Sequence, residues 1–341
     1  MIALRSAVVA LSLLAVPLAA QEITSGVVAP VCVQGIGACR NVVGIRLAFR
    51  SRELERVVGL NITAWMPHKP TTGQVTGLGI GILGTGGEYV TGIAVAPAMV
   101  TARTRLSGIA VSGIGIASAG EARAILVSGI GTAVAQDLTG ISISGVGTAV
   151  GGSARGIVVG GLGGAVAGDF TGIAVGGLAV ALAGTARGLM AAGLGGAVGG
   201  SFTGIAVGGM GFGGGGSMTG LSIAGLGLGV GGNLRGITVA GLGAGVGGKV
   251  TGLAVAGLGI ATTEANAIVI TPGFFRAKRS DGDAKAAGVF VAAVNAVQGE
   301  QRGLSIGVVN FARSLKGVQL GVLNIVADGR APRVLPLVNW R

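Results

Sequence analysis

Apolar residues recur along most of this chain in a fixed frame of 16. Counting from Gly92, the frame begins again at Gly108, Ala124, Gly140, Gly156 and onward to Gly252, giving eleven units with no insertion. With the unit numbered in places 1 to 16, place 2 is Ile or Leu and place 4 is usually Val or Ile, as in GIVVGGLGGAVAGDFT from Gly156. Places 7, 9 and 11 are often aliphatic, and places 14 to 16 carry the polar residues. Alternation at places 2 and 4 predicts a strand with both side chains on one face. The small pair at places 5 and 6 predicts a corner that turns the second aliphatic set to the same side. A further corner falls at places 13 to 16. Each unit then makes one lap, and stacked laps bury an apolar ladder that no single unit could bury. The fold expected is all-β, a β-solenoid of about 17 coils, ~80 Å long at ~4.8 Å per coil. Its expected inner ladder is Ile109, Val111, Ile141, Ile143, Ile157, Val159, Ile173, Val175, Ile205, Val207, Ile237 and Val239. The outward places are expected to be flat surfaces of Ala, Gly and Ser.

The frame extends beyond the regular block of 92–267. Degenerate coils occupy 44–91, starting at Gly44, Gly59 and Gly77. Further coils at Gly288, Gly303 and Gly317 fill 288–341, with Asn295, Asn310 and Asn324 at place 8 where Gly usually stands. Asn and Gly both tolerate a left-handed backbone, so place 8 is expected to have positive φ. Between the blocks, 268–287 breaks the pattern with Pro272, Phe274, Phe275 and a charged run. A protruding loop from Thr271 to Ala287 is expected there.

Composition narrows the reading. Gly makes up 72 of 341 residues, yet half the residues are apolar and only 11% are charged. Disordered chains show the opposite balance. Residues 1–20 have the marks of a secretory signal peptide, with Arg5, an apolar run from Ala7 to Ala19, and small residues before Gln21. Residues 21–43 form an N-terminal cap segment containing Cys32 and Cys39, expected to be disulfide-bonded outside the cytoplasm. Export places the protein in the cell envelope, at the outer surface or in the outer membrane. The net charge of +12 suggests attraction to anionic partners, such as envelope polysaccharide or lipopolysaccharide. Export makes nucleic acid the least fitting partner, and none is expected.

The C-terminal units GLSIGVVN from Gly303 and GVQLGVLN from Gly317 are similar to a family of bacterial surface-repeat proteins of the leptospiral type. That family repeats Gly-x-Gln-x-Gly-x-x-Asn about every 14 residues, the spacing from Gly303 to Gly317. The central block departs from it in period and in having Gly for Asn. The resemblance implies an exported surface protein and brings no catalytic residues.

Chemical motifs are weak. Gly79 to Gly84 matches GxGxxG, but no βαβ unit surrounds it. Gly303 to Gly307 matches GxSxG, but Ser305 occupies an ordinary coil position and the single His is His68. Asp137 and Asp169 at place 14 read as turn residues that bond backbone N–H groups. No enzyme, cofactor or metal is expected. Arg123, Arg155, Arg187 and Arg235 at place 16 form a candidate basic ridge, either for anion capture or for solvation. Phe274, Phe275, Arg276, Lys278 and Arg279 form a candidate contact loop. Flat outer faces also suggest lateral association with further copies. The function expected is non-catalytic: structural, adhesive or self-assembling. The competing architecture is an outer-membrane β-barrel pore, suggested by the alternation of Thr139, Thr171 and Thr203 with Arg123, Arg155 and Arg187, as if on opposite sides of a membrane.

Overall fold

The structure, a computed structural model, describes residues 29–33, 39–50, 54–65, 73–328 and 333–341. The expected signal peptide and His68 lie outside the described residues. Those described form 29 strands in one continuous sheet that winds as a parallel β-solenoid of about 17 coils.

Each central coil has a long strand over places 15 to 5 and a short strand over places 8 to 11. Leu138–Ser144 and Gly147–Val150 are one such pair. Neighbouring coils pair in parallel and without slippage, so that Ile141 lies against Ile157 and Ile157 against Ile173. The corners stack as well: the Leu162 N–H donates to the Val146 carbonyl at 2.8 Å, and Leu178 to Leu162 at 2.7 Å. The barrel expectation is overturned, because barrel hairpins would pair antiparallel. The alternation of Thr and Arg has another correlate. Place 15 alternates inside the coil between small Ala154 and Ala186 and bulky Phe170 and Phe202, all buried. A large side chain above a small one lets successive layers interlock.

The expected inner ladder is inverted. Ile205 is 41% exposed, while its neighbour Ala206 is fully buried. Ile109, Val111, Ile143, Ile173, Ile237 and Val239 are likewise exposed, and Ile141, Ile157, Val159, Val175 and Val207 are only half-buried. The interior is built from places 3, 5 and 15 on the long strand and places 9 and 11 on the short one. Contacts across it are close: Ser142 Oγ lies 3.1 Å from Thr148 Oγ1, and Ser144 Oγ 2.9 Å from the same atom. The long strand fills this gap with small Ala, Ser and Gly interspersed with single bulky residues such as Leu126, Val158, Phe170 and Met190, while the Ile at place 2 turns outward.

Glycine answers a structural demand at two places, although Ala124 and Ala267 stand at place 1 without positive φ. At place 1, Gly108 and Gly140 through Gly252 have φ between +114° and +139°, a region L-residues avoid. At place 6 the constraint is proximity. A Cβ on Gly225 would fall inside the van der Waals radius of the Gly209 carbonyl, one coil below.

Place 8 does not have positive φ, contrary to expectation; Leu337 is the one such non-Gly among the described residues. The last coils lose a corner residue. Asn295 therefore pairs with Phe275, which pairs with Ile260 at place 9, an inward place. Asn295, Asn310 and Asn324 are fully buried; the Asn295 amide donates to Asn310 Oδ1 and the Asn310 amide to Asn324 Oδ1, both at 2.8 Å, while the Asn324 amide donates to the Gly321 carbonyl at 3.0 Å. The Asn310 amide also bonds the Leu320 carbonyl at 3.0 Å. Arg333–Trp340 then runs antiparallel along the last coil and closes that end.

The first coils contain the expected disulfide between Cys32 and Cys39. Arg46, in register with Cys32, is fully buried and donates to Asn61 Oδ1 at 2.9 Å. Burial pushes its pKa down to about 10.

The protruding loop is smaller than expected. Ala265–Ile270 and Phe274–Ala277 both continue the stack, so a further coil begins at Ala267. Phe275 is fully buried and stacked on Phe290, ring centroids 4.6 Å apart. Within this segment 271–273 form a corner and 278–283 leave the sheet.

Replacing Gly225 with Ala should lower the thermal midpoint, at about 1–3 kcal/mol of lost stability. Gly229→Ala, in the same coil with open space around the added methyl, should stay within about 0.5 kcal/mol. Melting followed by far-UV circular dichroism separates the two. Equal effects would contradict the stacking geometry.

Candidate functional surface

The polar residues of the repeat converge on one edge of the solenoid, at places 13 to 16. Register puts Arg155, Thr171, Arg187, Thr203, Thr219, Arg235 and Thr251 in one continuous rank. Arg residues two coils apart are ~9.6 Å from each other along the axis. All four predicted ridge residues, Arg123, Arg155, Arg187 and Arg235, are exposed.

The ridge is partly neutralised. Arg123 Nε lies 3.2 Å from Glu121, which also pairs with Arg105. The Arg105 guanidinium, with help from Arg123, holds the Glu121 carboxyl below its usual range. Arg155 and Arg187 flank a groove of about 240 Å³ that also contains Asp169, Ser153 and Thr185. Asp169 Oδ1 accepts the Thr185 N–H at 2.8 Å, and Asp137 Oδ1 accepts that of Ser153 at 2.7 Å. Both carboxylates therefore act as the expected turn residues, each bonding the backbone one coil further on.

The candidate contact loop divides. Phe275 belongs to the interior, while Phe274 and Arg276 are exposed on the sheet. Lys278 and Arg279 lie in the short excursion. There Arg279 pairs with Asp281 at 2.6 Å and Glu264 at 3.1 Å, and Arg313 with Asp283 at 2.6 Å. This charge is largely satisfied internally.

The sequence reading missed the rest of the surface. Place 7 carries Ile114, Leu162, Leu194 and Leu242, all 48–51% exposed. They form an apolar ridge on the edge opposite the charged one. Of the places 3, 5, 8, 10 and 12 expected to form flat outer faces, 8, 10 and 12 make the Ala and Gly surface of the short-strand flank, whereas 3 and 5 point inward. This flank holds shallow apolar grooves of about 550 and 600 Å³, lined by Ala133, Ala149, Ala165 and Ala181 among others. Among the described residues, no three His, Cys, Asp or Glu side chains gather as a metal site. No family profile, no curated protein and no solved structure matches the chain.

Changing Arg155 and Arg187 together to Gln should move elution from an acidic-polysaccharide column to lower salt. The melting midpoint should hardly change, since exposed ion pairs contribute ~0–1 kcal/mol. Unchanged elution would remove the ridge as an anion contact.

Proposed function

We propose that this chain is an exported, non-catalytic repeat protein of the cell envelope that works by surface contact and assembly. The observation that carries this reading is the exposed apolar surface. From Gly108 to Ala261, places 2, 4, 6, 7, 8, 10 and 12 hold only Gly, Ala, Val, Ile, Leu or Met. Over nine coils this surface is on the order of 1,400 Å², taking ~4.8 Å per coil and ~3.3 Å per residue. Monomers that stay in water rarely expose contiguous apolar patches beyond a few hundred Å². Such a surface calls for a covering, and a protein built mainly of it functions through what covers it.

Export is supported by the signal-like 1–20 and by the Cys32–Cys39 disulfide, a bond that persists in oxidising compartments. The similarity of the Gly303 and Gly317 units to surface-repeat proteins points the same way. The reading assigns no catalytic residue. The pore alternative loses its support, because the space inside the coils is filled by Phe170, Phe202, Met190 and their neighbours.

Fractionation of cells producing the full chain tests the reading. The protein should appear in the envelope fraction, with mass spectrometry showing an N-terminus near Gln21. A cytoplasmic protein that keeps Met1 to Ala20 would overturn it.

A further inference from the structure

The surface is amphipathic by edge. From Gly108 to Ala261 every Asp, Glu, Lys and Arg stands at place 14 or 16. The opposite edge carries Ile, Val, Leu or Met at place 7 beside Gly at place 6 throughout this stretch, and large apolar residues recur on it toward both ends of the solenoid. Phe49, Trp65 and Ile82 extend it through the first coils, and Val308 and Val322 through the last. Phe49 and Trp65 stack on each other there with centroids 6.3 Å apart. One edge is thus wet and the other dry, with two apolar flanks between.

From this we infer that the solenoid lies lengthwise in one leaflet of a bilayer with anionic headgroups, its apolar edge among the acyl chains and its charged edge at the phosphates. Three arguments favour lipid over a second copy. First, the apolar surface wraps around an edge. A flat partner stacked on one flank leaves the place 7 ridge and the other flank in water, whereas fluid chains cover all three. Second, the backbone can enter lipid. Only structures that satisfy their own N–H and C=O groups do so, and here each coil bonds the next along the axis, corners included. Third, size and charge fit. Five residue steps from place 2 to place 7 span ~16 Å, against ~15 Å for half of a ~30 Å hydrocarbon core. Arg155 and Arg187, just beyond place 2, then reach the headgroup level on a chain of net charge +12. The inference deepens the envelope reading and rests on it only for which membrane is met.

The test uses the full chain synthesised with vesicles of phosphatidylethanolamine and phosphatidylglycerol, followed by flotation. The protein should float and resist high-salt and carbonate washes. In a Trp340→Phe background, brominated acyl chains should quench Trp65 roughly twofold or more, as expected for an indole at bilayer depth. Leu162→Lys with Leu178→Lys and Leu194→Lys alters only exposed side chains. It should cut the floated fraction roughly tenfold or more, since cations resist insertion, with the β circular-dichroism signal retained. Protein that stays at the bottom as elongated monomers, or that polymerises regardless of vesicles, overturns the inference. So does flotation without Trp65 quenching. Flotation by a protein found in the cytoplasm would instead refute the envelope reading while leaving this one standing.

Discussion

The structure depends on coils approaching to the strand-pairing distance at every point of their circumference, corners included. Parallel in-register bonding fixes the rise at ~4.8 Å. Strands meet that spacing without difficulty, but corners must meet it too. Place 6 shows the cost: Gly129, Gly145 and Gly161 each sit so close to the preceding carbonyl that no side chain fits. High glycine content is therefore a consequence of stacking tight corners. It is compatible with order because each backbone donor finds its acceptor one lap away.

A narrow interior follows. Two sheets joined by such short corners lie close together, and the space between them holds Ala206, Ser144 or Gly176 but not a rank of Ile. On the long strand bulk enters where the neighbouring coil makes room, as Phe170 does between Ala154 and Ala186, while the short strand contributes a column of Val134, Val150, Val166, Leu182 and Val198. Where the corner shortens near the C-terminus, the inward place is taken by Asn295, Asn310 and Asn324. Their amides bond one another and the corner carbonyls, so burial of a polar group carries no unsatisfied penalty at the donor. The outer surface inherits the large aliphatics, and its apolar character is an outcome of how little the interior can accept.

The period, the strands, the winding and the disulfide could all be read from the residues. So could the turn role of Asp137 and Asp169, because an acceptor at a corner has few other uses. Orientation could not be read from hydropathy. Both faces of each strand are apolar, and the assumption that larger aliphatics turn inward fails when the gap is narrow. Side-chain volume held the answer, in the alternation of Phe and Ala at place 15, which only a packed layer requires. The coil at Ala267 was hidden because Pro272 and the charged run after Ala277 resemble a loop. Its AIVI start nevertheless matches GIVV at Gly156. The Arg ridge was legible as a rank, but the sharing of Glu121 between Arg123 and Arg105 of the preceding coil depends on coils lying adjacent.

A solenoid that turns its place-2 aliphatics outward and keeps a narrow interior behaves unlike a globular core. The claim beneath this account is the direction in which neighbouring side chains point. Ile205→Asp and Ala206→Asp, compared by thermal melting, test it most directly. The account predicts that the first melts close to the unaltered chain, and that the second, placing an unpaired carboxylate in the interior, loses several kcal/mol or does not fold. The reverse order would show the large aliphatics inside and contradict the account.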